Sequence, residues 1–357
     1  MASTSASFRS NLAAGSFVIL LAGCTDDAPT APDMAAAAAG EAAAVTYSAV
    51  RLGALGGVVG EASDMLDGRI VGHAETADGS FHAFLWENGR MRDLGALPNS
   101  TLPTSWALAL NSLGQVVGFS LAEDAGGSSA DHAFLWRNGA MTDLGTLDGV
   151  SSRAVDINDA GVVVGFAQNA SGNERAVRWR NGVIEDLGTL GGEASAATGI
   201  NEAGVIVGFA QTGQQRFRAF VWRNGSMRSL PKLDGVYASA SAINAHGLIV
   251  GSAFNRAGQE RAVLWQDGKI RELGVLSGDQ HSVAMDVDDA GRITGYSYRV
   301  ESGEYRTRVF IWEKGVMRNL GNSAGKPNRA LGIAPAGHLV GSSTENGNQV
   351  AVLWRRR

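Results

Sequence analysis

A ring of seven four-stranded antiparallel blades, an all-β propeller, is the fold this sequence predicts, and three observations predict it. Seven tryptophans, from Trp86 through Trp136, Trp179, Trp222, Trp265 and Trp312 to Trp354, stand 50, 43, 43, 43, 47 and 42 residues apart. Each period holds four short apolar or alternating segments cut by turn signals, and four strands in roughly 40–45 residues is the spacing of a propeller blade. The two ends of the chain carry complementary parts of one further unit.

The third copy shows each element. Residues 153–157 (Arg-Ala-Val-Asp-Ile) predict strand a and residues 162–166 predict strand b, joined by Asn158-Asp159-Ala160-Gly161. Asn in first place and Gly in fourth suit a type I turn closed by a glycine at positive φ. After a variable loop, residues 175–180 (Arg-Ala-Val-Arg-Trp-Arg) predict strand c and residues 183–187 strand d, joined by Asn181-Gly182. Asn-Gly is the strongest short hairpin signal because both central residues of a type I′ turn need positive φ. It recurs at Asn88-Gly89, Asn138-Gly139 and Asn224-Gly225, with Asp267-Gly268 and Lys314-Gly315 as variants.

The ends predict closure. The last copy stops at Val350-Ala351-Val352-Leu353-Trp354 without a strand d, while residues 46–53 read as a strand d without partners. N-terminal strand d is therefore expected to complete C-terminal strands a–c, leaving no open edge. A two-residue c–d turn also sets Arg175 diagonal to Asp186, and His82 with Asp93, His132 with Asp143 and Arg261 with Glu272 repeat that geometry.

Ahead of the repeats lies a different kind of segment. Arg9, an apolar run from Leu12 to Ala22, and then Leu21-Ala22-Gly23-Cys24 predict a cleaved leader at 1–23, because about eleven apolar residues fall short of the roughly 20 that span a bilayer. The four-residue ending resembles a lipobox, which implies lipidation of Cys24. Residues 24–44, Ala-rich and without periodicity, read as a flexible tether, and 45–357 as the propeller. Cys24 is the only cysteine, so disulfides and thiolate metal sites are excluded from the repeats. The net charge of -5 is spread without runs, and no basic stripe points to nucleic acid.

His82-Ala83-Phe84-Leu85-Trp86 and His132-Ala133-Phe134-Leu135-Trp136 resemble the HAF repeat family of bacterial proteins, named for that triplet. The resemblance covers essentially all of residues 45–357 and implies an exported, propeller-like repeat protein. It assigns no catalytic residue. Kelch and WD repeats match less well, since there is no Gly-Gly pair before a spaced Tyr and Trp, nor any Trp-Asp.

Function is expected on the face that carries the b–c and d–a connections, because variable loops on a rigid scaffold are where recognition is placed. The longest departures are Leu121 to Ala130, Tyr298 to Thr307 and Pro98 to Trp106. Just before the repeating alanine of strand a stand Glu61, Trp106, Arg153, Ala196, Ser239, Val283 and Arg329. If strand a lines the axis, these ring the channel mouth, and Trp106, Arg153, Tyr237, His281 and Arg329 form a candidate set for an anionic or sugar ligand. Asp64, Asp156 and Asp286 share a place in strand a where other copies have Gly or Ala, and three carboxylates there are weak candidates for a hard cation. The stretch from Asp286 to Gly291 hints at a calcium loop, but it lacks the downstream acid and matches the turn of every other copy.

No Ser-His-Asp set, His pair or phosphate loop stands out, and no cofactor is implied. The sequence ranks a lipid-anchored binding or scaffolding module above an enzyme, with a glycan or an envelope protein as partner and the outer membrane or cell surface as its place. A lyase or hydrolase acting on polysaccharide or peptide at the channel mouth is the alternative.

Overall fold

The computed structural model describes residues 46–98, 100, 102–123, 129–320 and 329–357. The leader, Cys24 and the tether lie outside the described residues. The remainder is built of seven four-stranded antiparallel sheets. We number the blades 1 (56–93), 2 (105–143), 3 (152–186), 4 (191–229), 5 (238–274), 6 (281–319) and 7 (329–356, completed by Tyr47–Arg51), with strands a to d in order from the axis outwards. Consecutive strands a touch one another all the way round, from blade 1 to blade 7 and back to blade 1. The ring is a seven-bladed β-propeller.

Closure follows the terminal halves. Tyr47–Arg51 pairs antiparallel with the last strand, Asn348–Arg356, in a register that sets Ala49 against Trp354 and Arg51 against Val352. In blade 3 the four strands are Ser152–Ile157, Val163–Gln168, Glu174–Arg180 and Val183–Asp186, within one or two residues of those the periodicity predicts. Asn181 (φ 53°) and Gly182 (φ 77°) take the type I′ conformation, and Gly161 (φ 72°) closes the a–b turn.

The apolar residues form seven clusters, one in each seam between blades, rather than one central core. Strand c explains the repeat's triplet. In blade 2, Phe134 and Trp136 pack towards blade 1, while Ala133 and Leu135 pack towards blade 3. A strand buried on both faces needs a continuous apolar run, with small residues on the side where the next blade comes close.

Two further features explain repeated residues. Strand a of each blade carries a β-bulge, as between Ala154 and Asp156. The bulge pushes the Arg153 carbonyl against strand b, where a Cβ on Gly165 would lie 2.0 Å from that oxygen, so the last residue of Val-Val-Gly must be glycine. The turn asparagines also join blades. Asn158 Nδ2 donates to Asn201 O (3.3 Å), Asn201 Nδ2 to Asn244 O (3.1 Å) and Asn244 Nδ2 to Asp288 O (2.9 Å), while each Oδ1 accepts the amide four residues on. Blade 6 has Asp288 in that place, which cannot donate, and Arg292 takes over by pairing with Asp288 and donating to Pro335 O.

At the opposite end of the seams a serine does the same work. Ser195 Oγ donates to Gly188 O (2.7 Å) and accepts from Ala176 N (2.9 Å), tying strand a of blade 4 to blade 3. Ser105, Ser152 and Ser282 repeat the bridge.

Candidate functional site

The a–b and c–d turns share one end of the ring, here the short-turn face, and the b–c and d–a connections share the other, the long-loop face. Two of the connections expected to be loops are extended hairpins. In blade 6 the ladder continues through Arg299↔Arg306, Val300↔Tyr305 and Glu301↔Glu304 to a Ser302-Gly303 turn. In blade 2 it continues to Glu123↔Ser129. Both hairpins therefore rise above their neighbours on the long-loop face.

Three of the residues preceding the strand a alanine, Glu61, Trp106 and Arg153, are wedged in the seams. Trp106 lies between His73 of blade 1 (6.0 Å between ring centroids) and Phe119 of its own blade, on which it stacks at 4.9 Å. Arg153 places its guanidinium 4.2 Å above the same Phe119 and pairs with Asp131. Glu61 is fully buried and accepts from Ser342 Oγ of blade 7 at 2.8 Å. Trp106 and Arg153 thus share one aromatic partner. Tyr237 lies elsewhere, edge-on to Phe254 at 5.8 Å and near Phe217, and burial pushes its hydroxyl pKa up. The side chain of Arg329 lies outside the described residues.

Asp64, Asp156 and Asp286 act as staples. One oxygen of each accepts the amide of the next residue, and the other accepts an amide of the following blade: Leu110, Ile200 and Ile333 at 3.1, 2.8 and 2.8 Å. The position they meet is Ala109, Gly199 or Gly332. A Cβ on Gly199 would lie 3.3 Å from Ala242 Cα of the next blade, so the place tolerates little more than hydrogen or methyl where no carboxylate reaches across. Burial raises all three pKa values, to about 6 for Asp64, about 8 for Asp156 and about 7 for Asp286, with charge repulsion among them adding to the last two. Among the described residues no group of acids and histidines is arranged to hold a metal ion.

His281 belongs to a denser constellation at the seam of blades 5 and 6. Its ring stacks on Tyr298 (4.7 Å, 15°), and its Nδ1 accepts the Glu260 amide at 3.1 Å, which leaves the proton on Nε2. Glu260 is held from both sides, accepting from Ser252 Oγ and from Tyr298 Oη, each at 2.8 Å. Burial raises the Glu260 pKa and lowers that of His281, the latter with help from the Arg261 charge. Tyr305, 52% exposed, leans on Tyr298 from the raised hairpin at 5.6 Å, and Tyr296 lies 6.0 Å from the same ring. Four aromatic rings and a buried carboxyl therefore converge where the ring of blades is tallest.

Of these, the sequence singled out His281 as a candidate contact, and Tyr298 and Tyr305 only as part of the long connection from Tyr298 to Thr307. Glu260 has a counterpart in Glu174, and Tyr296 in Phe119, Phe166 and Phe209, so neither stands out within its copy. The connection that carries Tyr298 and Tyr305 widens the spacing from Trp265 to Trp312 to 47 residues, four more than each of the three spacings before it. The expected ion pairs along strand c do form: His82 Nδ1 to Asp93 at 2.9 Å, His132 to Asp143 at 2.7 Å, Arg175 to Asp186 at 3.1 Å and Arg261 to Glu272 at 3.7 Å. Arg218 and Arg308 differ. Blade 4 has Ser229 where an acid would be, so Arg218 donates to the carbonyls of Phe217 and Val236, while Arg308 pairs with Asp279 in the d–a connection.

No family model matches the chain, and no curated protein matches it. Solved structures do. An acylaminoacyl peptidase in complex with Z-Gly-Gly-Phe-chloromethyl ketone is similar over 84% of this chain and 52% of its own, at 12% identity and TM-score 0.50. TolB from Acinetobacter baumannii is similar over 73% and 65%, at 13% identity and TM-score 0.47. AofleA from Arthrobotrys oligospora is similar over 81% and 94%, at 14% identity and TM-score 0.41. The chain spans about half the length of the peptidase and just under two thirds of TolB. Likeness at these identities is likeness of fold.

Proposed function

We propose that the chain is an exported binding module, held to the cell envelope through a lipid on Cys24, that recognises a saccharide-bearing ligand on its long-loop face. The observation that carries this reading is the aromatic wall at the seam of blades 5 and 6. Tyr305 and Tyr298 offer flat, partly exposed apolar faces, and the Nε2 proton of His281 lies beside them as a donor. A sugar ring has the same division, with apolar C–H faces and hydroxyls around its edge. The lipobox-like ending and the resemblance to HAF repeats support the exported, anchored part.

The partners of Glu260 favour binding over catalysis. Both of its oxygens accept hydrogen bonds from within the protein, and His281 Nδ1 is taken by a backbone amide, so the groups orient one another. One feature speaks for the enzyme reading: a carboxyl of raised pKa, an imidazole and a phenol share one seam, as titratable groups do in active sites.

The test uses residues 44–357, a compact unit closed on itself, against immobilised glycans and envelope polymers, measuring retention and turnover together. Tyr305→Ala is expected to weaken retention roughly tenfold with no product formed, as for loss of one aromatic contact. Turnover that His281→Ala abolishes would establish the lyase or hydrolase reading in its place.

A further inference from the structure

The net charge of the chain conceals a separation between the two faces. Within three residues of the six c–d turns lie eleven Arg or Lys and four Asp or Glu, and Arg355, Arg356 and Arg357 occupy the same end of the split blade. The a–b turns and the residue after each add two arginines and five acids. The short-turn face therefore carries an excess of seven positive charges, while the rest of residues 46–357 is net negative by nine.

These cations are available. Nine of the eleven, among them Arg90, Arg137, Arg180, Arg223 and Lys269, are exposed, and among the described residues none of the nine has an acid within 4.0 Å. The turns that carry them are two residues long in every intact blade, so the cations stand at one level around a rigid rim. Between them run shallow clefts. One of about 480 Å³ is lined by Arg92, Arg137, Gln115 and Trp136, and one of about 410 Å³ by Arg178, Arg180, Glu202 and Trp222. In both, an arginine of the preceding blade lies over the tryptophan, at 5.1 and 4.7 Å, and Arg271 over Trp312 repeats this at 5.3 Å.

The chain also enters the fold at this face. Tyr47 pairs with Arg356, and its hydroxyl donates to Gly337 O in the a–b turn of blade 7 at 3.2 Å. Residues 25–45, at most roughly 3.5 Å each when extended, precede it.

We propose that the short-turn face is a membrane-docking surface that takes the anionic headgroups of a phospholipid bilayer. A level rim of unpaired guanidinium and ammonium groups can meet a planar anionic surface at all points together, whereas a compact ligand would reach one cleft at a time. Phosphates in the clefts would meet two arginines each, one of which, Arg92 or Arg178, has its other side on a tryptophan. A basic surface would add electrostatic attraction to the anchor and fix which way the propeller faces the bilayer. Docked in this way, the propeller turns its long-loop face away from the bilayer. The proposal uses the anchored reading for the tether alone, because the surface lies wholly within residues 46–357.

The test is co-sedimentation of residues 44–357, which lack Cys24, with vesicles of phosphatidylcholine containing about one third phosphatidylglycerol, and with pure phosphatidylcholine, at about 0.05 M and about 0.5 M NaCl. The protein is expected to sediment with the anionic vesicles at low salt only. Arg137→Glu, Arg180→Glu and Arg223→Glu combined should reduce binding more than tenfold. Arg216→Glu, Lys232→Glu and Arg256→Glu, an equal charge change on the long-loop face, should leave it within twofold, and the melting temperature of both triple variants reports whether they are folded. Equal sedimentation with uncharged vesicles, equal losses in the two variants, or capture by soluble polygalacturonate without any vesicle binding would each overturn the proposal. Tyr305→Ala, on the long-loop face, should leave vesicle binding unchanged, and the short-turn triple variant should leave retention on neutral glycans unchanged, so the failure of one reading is distinguishable from that of the other.

Discussion

The two faces of the ring treat their charges in opposite ways. On the long-loop face the cations wedged at the seams are held by partners: Arg153 has Asp131, Arg175 has Asp186, Arg261 has Glu272 and Arg308 has Asp279, while Arg218 uses two carbonyls. On the short-turn face the exposed cations around the c–d turns have no acid partner among the described residues. The difference follows from what each face must do for the fold. At the short-turn end an Asn latch closes four of the seven seams and Arg69 and Arg292 bond across two more, so most positions flanking the c–d turns are free to carry charge. At the long-loop end the seams are filled by different residues in each blade, and a cation wedged there needs a local partner.

The strongest way to break this division of labour is to remove a latch. Asn201 is buried (6% exposed), gives Nδ2 to Asn244 O and takes the Val205 amide on Oδ1. Asn201→Ala leaves the buried Val205 amide without its acceptor and takes one of two donors from Asn244 O, which keeps the Gly247 amide, at an expected cost of about 2–3 kcal/mol. Ser195→Ala removes the corresponding bridge at the long-loop end and should cost about 1–2 kcal/mol, since blade 5 already has Ala238 in that place. Urea unfolding of the two variants, with unchanged slope, measures the difference. A larger loss for Ser195→Ala would mean that the seams are held mainly from the long-loop end.

What the sequence revealed and what it hid divide along the same line. Blade number, strand order, hairpin turns, the closing pair and the strand c ion pairs were legible because each depends on residues close together or on a period of about 43. The bulge could be inferred only in part, from small residues in strand a. The second role of Asn158, Asn201 and Asn244 was hidden, because the turn alone accounts for an asparagine and the bond it makes to the next blade spans 43 or 44 residues. The constellation around Glu260 was hidden for a related reason. It joins strand c of one blade to strands a and b of the next, and nothing in either copy marks the other. The cationic rim escaped notice since its members are a blade apart in sequence, and the overall charge of -5 cancels them.

The staples sharpen the comparison through pH. Unfolded, Asp64, Asp156 and Asp286 titrate near 4; burial moves them to about 6, 8 and 7 in the ring. Between pH 4 and 8 the folded chain therefore binds more protons than the unfolded one, and stability falls as pH rises through that window. His132, raised by its hydrogen bond to Asp143, acts in the same sense, its contribution being lost as pH rises through its folded value. His73 opposes them. Desolvation lowers it from 6.5 to about 4, so its contribution is complete above pH 6.5 and is lost as pH falls towards 4. Stability is expected to peak in mildly acidic solution, with Asp156→Asn flattening the alkaline limb and leaving the acid limb as it was. Urea midpoints at four pH values from 5 to 8 check this, and an alkaline limb as steep in the variant as in the parent would remove the staples from the account.

The smallest effects are the most pointed about charge. Arg175 is mostly covered and pairs with Asp186 at 3.1 Å, and such a surface pair contributes at most about 1 kcal/mol, so Arg175→Ala should lower stability by that much and less in high salt. Arg180, five residues on and exposed beside the Asn181-Gly182 turn, has no acid to lose. Its removal also thins a crowd of like charges, so Arg180→Ala should leave stability within about 0.5 kcal/mol of the parent, and on the favourable side at low salt. A matched loss in the two variants would show that the rim's cations hold the fold as the paired ones do, and the contrast between the faces would then lie in loop length alone.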